Sequence, residues 1–465
     1  MLMLIKAMEE KVMGNEMKKV GFLAKFSIGF GVFGQSLLTG IVTSYILFFG
    51  TDILGVSAMA ISNLLLISKL FDGVTDLGMG VVLDKTKSKN GKARPWIARA
   101  VIPYVLFSIL LFGVPQNFGN GMKLVWIFVA YNLYALAYTA LGIAMNTLNI
   151  RLSRDEKEIN SISTVLMFGT IFGNVVINAV AVGALTALSG SETFTQAGFM
   201  KLTAILGAVC TIGGFASYFT TMEIPDDELK AEVKPSSVEG IRSLVKNKYW
   251  LMQVANTFFI YFGLNARLAA MVYYGIYVLG NPGLITVLVI ADNIPGLLAM
   301  PVALNICNKA GKRKASLIGL CCTMIGFALM FLNIHNLPLF IAGLVIKGLF
   351  FAPVQGVGNS FIVDSAVYGE WKTGVKAEGM AFSAVSFANK VSSGLAGVVV
   401  GWVLTLTGYV ANAPQQTPAA TNGIIFLYIG VTFLCTIGQI IVFACYDLDG
   451  KIGGIRKELE KRNNK

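Results

Sequence analysis

Three ionisable residues stand inside an apolar stretch of this chain. Lys69, Asp72 and Asp76 fall within 59–83, a run apolar and long enough to cross a bilayer, which takes roughly 20 residues. Spacings of three and four place all three on one helical face, so Lys69 can pair with Asp72 while Asp76 lies one turn further along. Lipid cannot solvate such a face, which must turn towards a protein interior or a watery cavity. The chemistry open to it is the binding of a charged or polar partner in a membrane-buried site. Four further charges sit at comparable depth in the second half of the chain, Arg267, Asp292, Lys347 and Lys390. Together the deep positions carry Lys69, Arg267, Lys347 and Lys390 against Asp72, Asp76 and Asp292, a surplus of one cation. Arg267 can pair with Asp292, snorkel outward, or hold the carboxylate of an anionic solute, for which a guanidinium is well shaped.

The elements that must position these residues follow from composition. The chain has 465 residues, 55% of them hydrophobic and 13% charged, about half the charge of a soluble domain. Apolar runs predict spans near 22–49, 59–83, 97–114, 123–150, 162–187, 200–221, 249–279, 283–307, 315–333, 337–363, 379–408 and 422–446. That pattern is an all-α membrane protein of twelve transmembrane helices. Of the 37 Lys and Arg, only Lys123 and Lys201 flank the odd-numbered connections, so the positive-inside rule puts both termini in the cytoplasm of a cell-membrane protein. The net charge of +12 is then a topological signal and not a nucleic-acid surface. The N-terminal twenty residues lack the pattern of a cleaved signal peptide. The six cysteines lie almost wholly in apolar spans with no C-x-x-C or Cys/His cluster, which reads as packing. The one histidine, His335, is in an external turn, so His-dependent catalysis and a histidine metal site are not expected, and the chain reads as no enzyme.

An internal echo organises the chain. Asn308-Lys309-Ala310-Gly311-Lys312-Arg313-Lys314 repeats the acid-or-amide, basic, glycine, basic order of the loop that begins at Asp84 and runs through Gly91-Lys92-Ala93-Arg94. Each copy follows the second span of a six-span half. Parallel six-helix halves are the arrangement of the major facilitator fold. The expected division is an N-terminal half over 1–221, a cytoplasmic linker over 222–248, a C-terminal half over 249–446 and a cytoplasmic tail over 447–465.

Two longer motifs carry a family resemblance. Lys69-Leu70-Phe71-Asp72-Gly73-Val74-Thr75-Asp76, continuing through Asp84 to Gly91-Lys92-Ala93-Arg94-Pro95-Trp96, resembles the helix 2 signature of the glycoside–pentoside–hexuronide:cation symporters. The run from Asp364 through Tyr368-Gly369-Glu370-Trp371 and Lys376 to Ser383 is similar to the same family's loop between helices 10 and 11. Tyr138-Thr139 in span 4 and Gly408-Tyr409 after span 11 extend the resemblance over nearly the whole chain.

The resemblance implies that Asp72 and Asp76 bind the coupling cation. A hard cation such as Na⁺ wants several oxygen ligands, and two carboxylates one turn apart offer them, with Thr75 or a helix 4 hydroxyl as supplement. With H⁺ as the ion, the same desolvated pair would hold a proton. No cofactor beyond the coupling ion, Na⁺ or H⁺, is expected. Lys390 matches a family lysine near those acids. Ser36, Asn146 and Gln355 stand at aligned substrate positions with Arg267 and Lys390, and the neutral three suit sugar hydroxyls. Ser36 and Gly142 replace acids of the melibiose-type members, Met167 replaces an arginine, and Val367 an acid, which argues against a galactoside. Lys69, Asp84, Arg94, Asp364, Glu370 and Lys376 are the expected gating residues, forming cytoplasmic latches. The implied function is symport of a glycoside, pentoside or hexuronide with Na⁺ or H⁺ by alternating access, in a monomer whose partners are solute, cation and lipid bilayer. The competing readings are a carrier of a lipid or other non-sugar solute and a membrane sugar sensor without flux.

Overall fold

The computed structural model describes residues 20–86, 88, 90–153, 155–190, 193–224, 242–334, 336–375 and 378–463. Among these residues the chain is all-α. The first six long helices are α1 (Phe22–Phe48, running into a π segment Phe49–Ile53), α2 (Ala58–Asp84), α3 (Arg94–Phe112), α4 (Asn120–Arg151), α5 (Glu156–Ser189) and α6 (Gln196–Thr220). The second set is α7 (Lys248–Tyr273, with a π segment Tyr274–Val278), α8 (Leu284–Ala310), α9 (Lys312–Leu332), α10 (Leu337–Thr373), α11 (Glu378–Leu406) and α12, in which Pro418–Ile425 continues through the π segment Phe426–Gly430 into Val431–Cys445. A short helix, α13 (Ile452–Asn463), follows. All six cysteines are free.

Eleven helices among the described residues are long and apolar enough to cross a membrane. The exception is α7, whose length suffices but which carries Gln253, Asn256 and Thr257 as well as Arg267. These first three are buried, at 1%, 3% and 7% exposure, so the polarity of α7 is turned into its own unit and away from lipid. The helix is also continuous past Gly263-Leu264-Asn265, although a glycine just before Arg267 in so long an expected span, 249–279, reads in sequence as a plausible break. Gly263 serves close packing instead: a Cβ there would come within 3.3 Å of Cys435 Cβ on α12, and Thr432 Oγ1 donates to the Gly263 carbonyl.

The chain forms two compact units, Met1–Ala231 and Glu232–Lys465. In the first, α1 packs against α5 and α6, α3 against α4 and α6, and α2 against α4. Glycine-to-backbone approach makes the α1 contacts possible: a Cβ on Gly213 would lie 2.8 Å from Gly31 Cα. In the second unit α10 packs against α8 and α9, and α7 against α11 and α12.

The basic loops of the echo have the same local structure in both units. Gly91 and Gly311 adopt φ of +93° and +90°, and each precedes a helix start. Glu223 caps the first such start, its carboxylate accepting the N–H groups of Lys92 (2.9 Å), Ala93 (2.8 Å) and Arg94 (2.7 Å) and the Nε–H of Arg151 (2.7 Å). Asp449 takes the corresponding place in the second unit, accepting from Arg313 N–H at 3.1 Å. Arg94 donates twice to the Tyr218 carbonyl at the end of α6, and Arg313 donates to the Phe443 and Ala444 carbonyls at the end of α12. The expected linker therefore starts with a residue that belongs to the first unit. Its far end likewise belongs to the second, since Asn247 Nδ2 donates to the Ser365 carbonyl of α10. Most of 222–248 lies outside the described residues, as do His335 and Lys376.

The Glu223 side chain is only 2% exposed, so Glu223→Ala would remove from a buried position the acceptor of three backbone N–H groups and of the Arg151 Nε–H. We expect a loss of about 3–5 kcal/mol from the first unit, read as a lowered unfolding temperature in detergent. Asp449→Ala, which removes a single backbone cap, should cause the smaller shift. The reverse ranking would contradict this account of the two caps.

Candidate functional site

The helix 2 carboxylates converge on one hydroxyl. Thr139 Oγ1 of α4 lies 2.8 Å from Asp76 Oδ1 and 3.2 Å from Asp72 Oδ1. It is buried at 4% exposure, and Asp72 at 5%. The contact arises because α2 packs on α4, bringing the acidic face of one against the Tyr138-Thr139 step of the other. A hydroxyl has one hydrogen and satisfies one of the two oxygens at a time. One buried and one half-buried carboxylate sharing a hydroxyl favour a further positive species, a proton or a small cation held by oxygen atoms. Among the described residues no group of three or more His, Cys, Asp or Glu is poised to hold a metal, so a metal ion at this place would draw ligands from hydroxyl or carbonyl oxygens too.

Aromatic rings build the wall beside these acids. Lys69 Nζ lies 6.0 Å from the ring centroid of Tyr131, within cation–π range. Tyr131, Tyr134 and Tyr138 recur at helical spacing on α4, with centroids 5.8 and 6.3 Å apart, and Tyr104 of α3 stacks on Tyr134 at 5.4 Å. Tyr104 is anchored by donation to the Gln35 carbonyl (3.0 Å), and Gln35 Nε2 donates to the Tyr138 carbonyl (3.3 Å). Four helices thus fix one polar and aromatic site within the first unit. Behind Lys69, Asn132 Nδ2 donates to Ser68 Oγ at 2.9 Å, a second polar tie between α2 and α4.

The second unit holds a different charge cluster. Asp292 of α8, 6% exposed, receives Arg267 Nη1 of α7 on one oxygen and Lys347 Nζ of α10 on the other. Closer to the α10 terminus, Asp364 is 1% exposed and holds Lys312 Nζ and, at 2.8 Å, Arg456 Nη2 of α13. Trp371 Nε1 donates to Glu458 at 2.7 Å, and Arg462 donates to the Trp371 carbonyl. These bonds fasten α13 along the end of α10.

Residues 27–450 match the sequence family described as MFS/sugar transport protein. The chain belongs to that family. It is a multi-pass major-facilitator transporter and not an enzyme. An isoprimeverose transporter of Lactiplantibacillus pentosus is 28% identical to it over 409 residues, 88% of this chain and 85% of the relative. A glucuronide carrier protein homologue of Escherichia coli (strain K12) is 26% identical over 397 residues, 82% of each chain. These relatives accord with the two motifs in placing the transporter among the glycoside–pentoside–hexuronide:cation symporters. The crystal structure of a D-xylose-proton symporter superposes with a TM-score of 0.63 at 14% identity, over 91% of this chain and 97% of that one, which establishes the shared fold.

The transporter's remaining candidate residues are distributed as follows. Thr75 turns its hydroxyl back on its own helix, donating to the Asp72 carbonyl at 3.0 Å, so Thr139 and not Thr75 is the hydroxyl at the carboxylates. Sequence had left Thr75 and a helix 4 hydroxyl open as alternatives. Ser36 is buried at 5% exposure with its Cβ packed where Gly173 of α5 leaves space. Asn146 and Gln355 are exposed on α4 and α10, and Lys390 is half-buried on α11. Glu370 lies in the last turn of α10, where its carbonyl accepts from Gly374 N–H at 2.7 Å. The side chain of Asp84 is outside the described residues. Arg267 pairs with Asp292, and the partner that sequence did not foresee is Lys347.

Thr139→Val keeps shape and removes the hydroxyl. Loss of a hydrogen bond to a charged group costs about 1.5–3 kcal/mol, roughly ten- to hundred-fold in affinity: a Na⁺ that takes the hydroxyl oxygen as a ligand should bind more weakly to Thr139→Val, whereas a proton should bind more tightly because the ionised pair has lost its donor. Titration of cation-dependent fluorescence or thermal stability should show one of these changes in Thr139→Val and near-normal affinity in Thr139→Ser. Equal behaviour of the two variants would remove Thr139 from the site.

Proposed function

We propose that this transporter is a cation-coupled importer of a glycoside, pentoside or hexuronide, driven by Na⁺ or H⁺ and working by alternating access. The observation that carries the reading is the buried Thr139 hydroxyl shared between Asp72 and Asp76. Two carboxylates that share one hydroxyl inside an apolar helix, with a single lysine beside them, suit the binding of a further positive species. Cation binding there neutralises the pair and alters how the surrounding helices pack, which couples ion and solute through a two-state protein. The names of relatives, an isoprimeverose transporter and a glucuronide carrier homologue, support the sugar class.

In this reading the chain crosses the cell membrane twelve times, with α7 as the seventh span and both ends cytoplasmic. Arg94 and Arg313 then tie the loops after α2 and α8 to the ends of α6 and α12 on the cytoplasmic side, where the positive charge lies. Asp364, Lys312 and Arg456 belong to the same face, and α13 acts there as a strap on α10.

Reconstituted protein should accumulate a labelled methyl glycoside against its gradient when either a Na⁺ or a pH gradient is imposed. Asp72→Asn and Asp76→Asn should each abolish that accumulation while leaving the fold intact by thermal unfolding. Undiminished uphill uptake in both variants would overturn coupling at this pair, and dependence on only one of the two gradients identifies the ion.

A further inference from the structure

The charges of the second unit do not balance where they are deepest. Arg267, Asp292 and Lys347 lie about eleven, eight and ten residues from the helix ends at Val278, Leu284 and Leu337, or roughly 12–16 Å at the helical rise. That is near the middle of a hydrocarbon layer about 30 Å thick. Their side chains are 11%, 4% and 12% exposed. One carboxylate serves two cations there, one on each oxygen, and among the described residues neither cation reaches a second carboxylate. The cluster therefore holds a net charge of +1 in a position where an uncompensated charge is expensive. Arg267 spends one of five donor hydrogens on Asp292 and Lys347 one of three, so both retain directed donors.

The surroundings make this a built site. The backbones of α8 and α10 meet there: a Cβ on Gly296 would come within 2.8 Å of the Gly348 carbonyl, next to Lys347, and Gly348 itself abuts the Asp292 carbonyl. Such close packing fixes both side-chain origins and leaves little freedom to rearrange. Tyr428 of α12 lies within electrostatic reach of Arg267, and the Tyr274 ring stacks on it at 4.4 Å. The Tyr274 hydroxyl is fully buried and has no hydrogen-bond partner among the described residues. A guanidinium and an ammonium on a single carboxylate, each with donor hydrogens to spare, form a set suited to a second carboxylate.

We propose that Arg267 and Lys347 bind the carboxylate of an anionic sugar, a hexuronide, with Asp292 as the internal anion that holds the two cations in place until the solute shares them. This inference rests on the sugar-carrier reading above and narrows its solute to a sugar acid. It gives the surplus cation a purpose: the site is complete in charge when the solute is bound and short of one negative charge when it is not. A bidentate guanidinium contact discriminates a carboxylate from the neutral hydroxymethyl group of the matching glycoside.

The test uses purified full-length protein with methyl β-D-glucuronide and methyl β-D-glucoside as probes and inorganic sulfate as a plain oxyanion, each titrated by thermal shift and by competition. The unmutated protein should bind the glucuronide at least tenfold more tightly than the glucoside. R267Q and K347M should each weaken the glucuronide roughly thirty-fold or more while changing the glucoside little. D292N retains both cations without their internal anion, so it should be stabilised by the glucuronide, and more weakly by sulfate, to a greater extent than the unmutated protein. Because any anion can fill a cluster that has lost its carboxylate, the excess of the glucuronide gain over the sulfate gain is the readout that a purely structural ion cluster would not give, and it does not depend on R267Q folding. Equal losses for both sugars in R267Q and K347M, or no greater gain from the glucuronide than from sulfate in D292N, would overturn the proposal. A neutral glycoside taken up uphill in preference to the glucuronide would overturn it and leave the carrier reading standing. Glucuronide binding that follows these predictions without gradient-driven uptake would do the reverse.

Discussion

The organising constraint of this molecule is the cost of ionised groups at the centre of a membrane. Even the gentlest scale puts a lone Asp, Lys or Arg there at about 2.5–3.5 kcal/mol, so each such group must be matched by something specific. Around Asp72 and Asp76 the match is the Thr139 hydroxyl and a neighbouring Lys69 set against the Tyr131 ring. Around Asp292 it is a pair of cations. Both solutions need helices that approach closely and hold still. The small residues on α1, the glycine-to-carbonyl contact of α8 with α10 and the polar ties between α2 and α4 are the packing consequences of that need.

On the proposed reading the two clusters divide the work of a carrier between them. One is an acidic pair with oxygen donors, shaped for a cation; the other is a basic excess with hydrogen-bond donors, shaped for an anion. A symporter of cation and sugar acid would neutralise both on loading, and a fully loaded protein with balanced deep charge is the one best able to reorganise within lipid. The arginine ties at Tyr218 and at Phe443 and Ala444 repeat in the two units because each six-helix unit must fasten the same loop to the end of its sixth helix.

Much of this was legible in the sequence, for reasons that can be named. The apolar runs gave the helices because hydrocarbon leaves the backbone few alternatives to a helix. Asp72 and Asp76 stood out because two acids one turn apart in such a run have no bland explanation. The echo at Gly91 and Gly311 was visible as a charge pattern, and its glycines prove to share a positive φ. What the sequence concealed were contacts between distant residues. Thr139 could be told from Thr75 only by the packing of α2 on α4. Glu223 read as the start of a polar linker, because its value lies in three N–H groups 129 to 131 positions away. Gly263 suggested a helix break, since a glycine that admits a neighbouring helix and one that ends its own look alike in one dimension. The helices also outrun their apolar cores: α10 continues to Thr373, ten residues past the expected boundary, because charged residues that leave the membrane can still be helical.

The central claim is that the Asp72–Asp76 pair is where the coupling cation binds. Its most direct test is the charge moved when that cation arrives without sugar. Purified protein in liposomes adsorbed to a solid-supported membrane should give a transient current on a jump in Na⁺ or in pH. The account predicts that this current is present in the unmutated protein and absent when Asp72 and Asp76 are both replaced by Asn. An undiminished sugar-independent current in the doubly substituted protein would place the coupling ion elsewhere and contradict it.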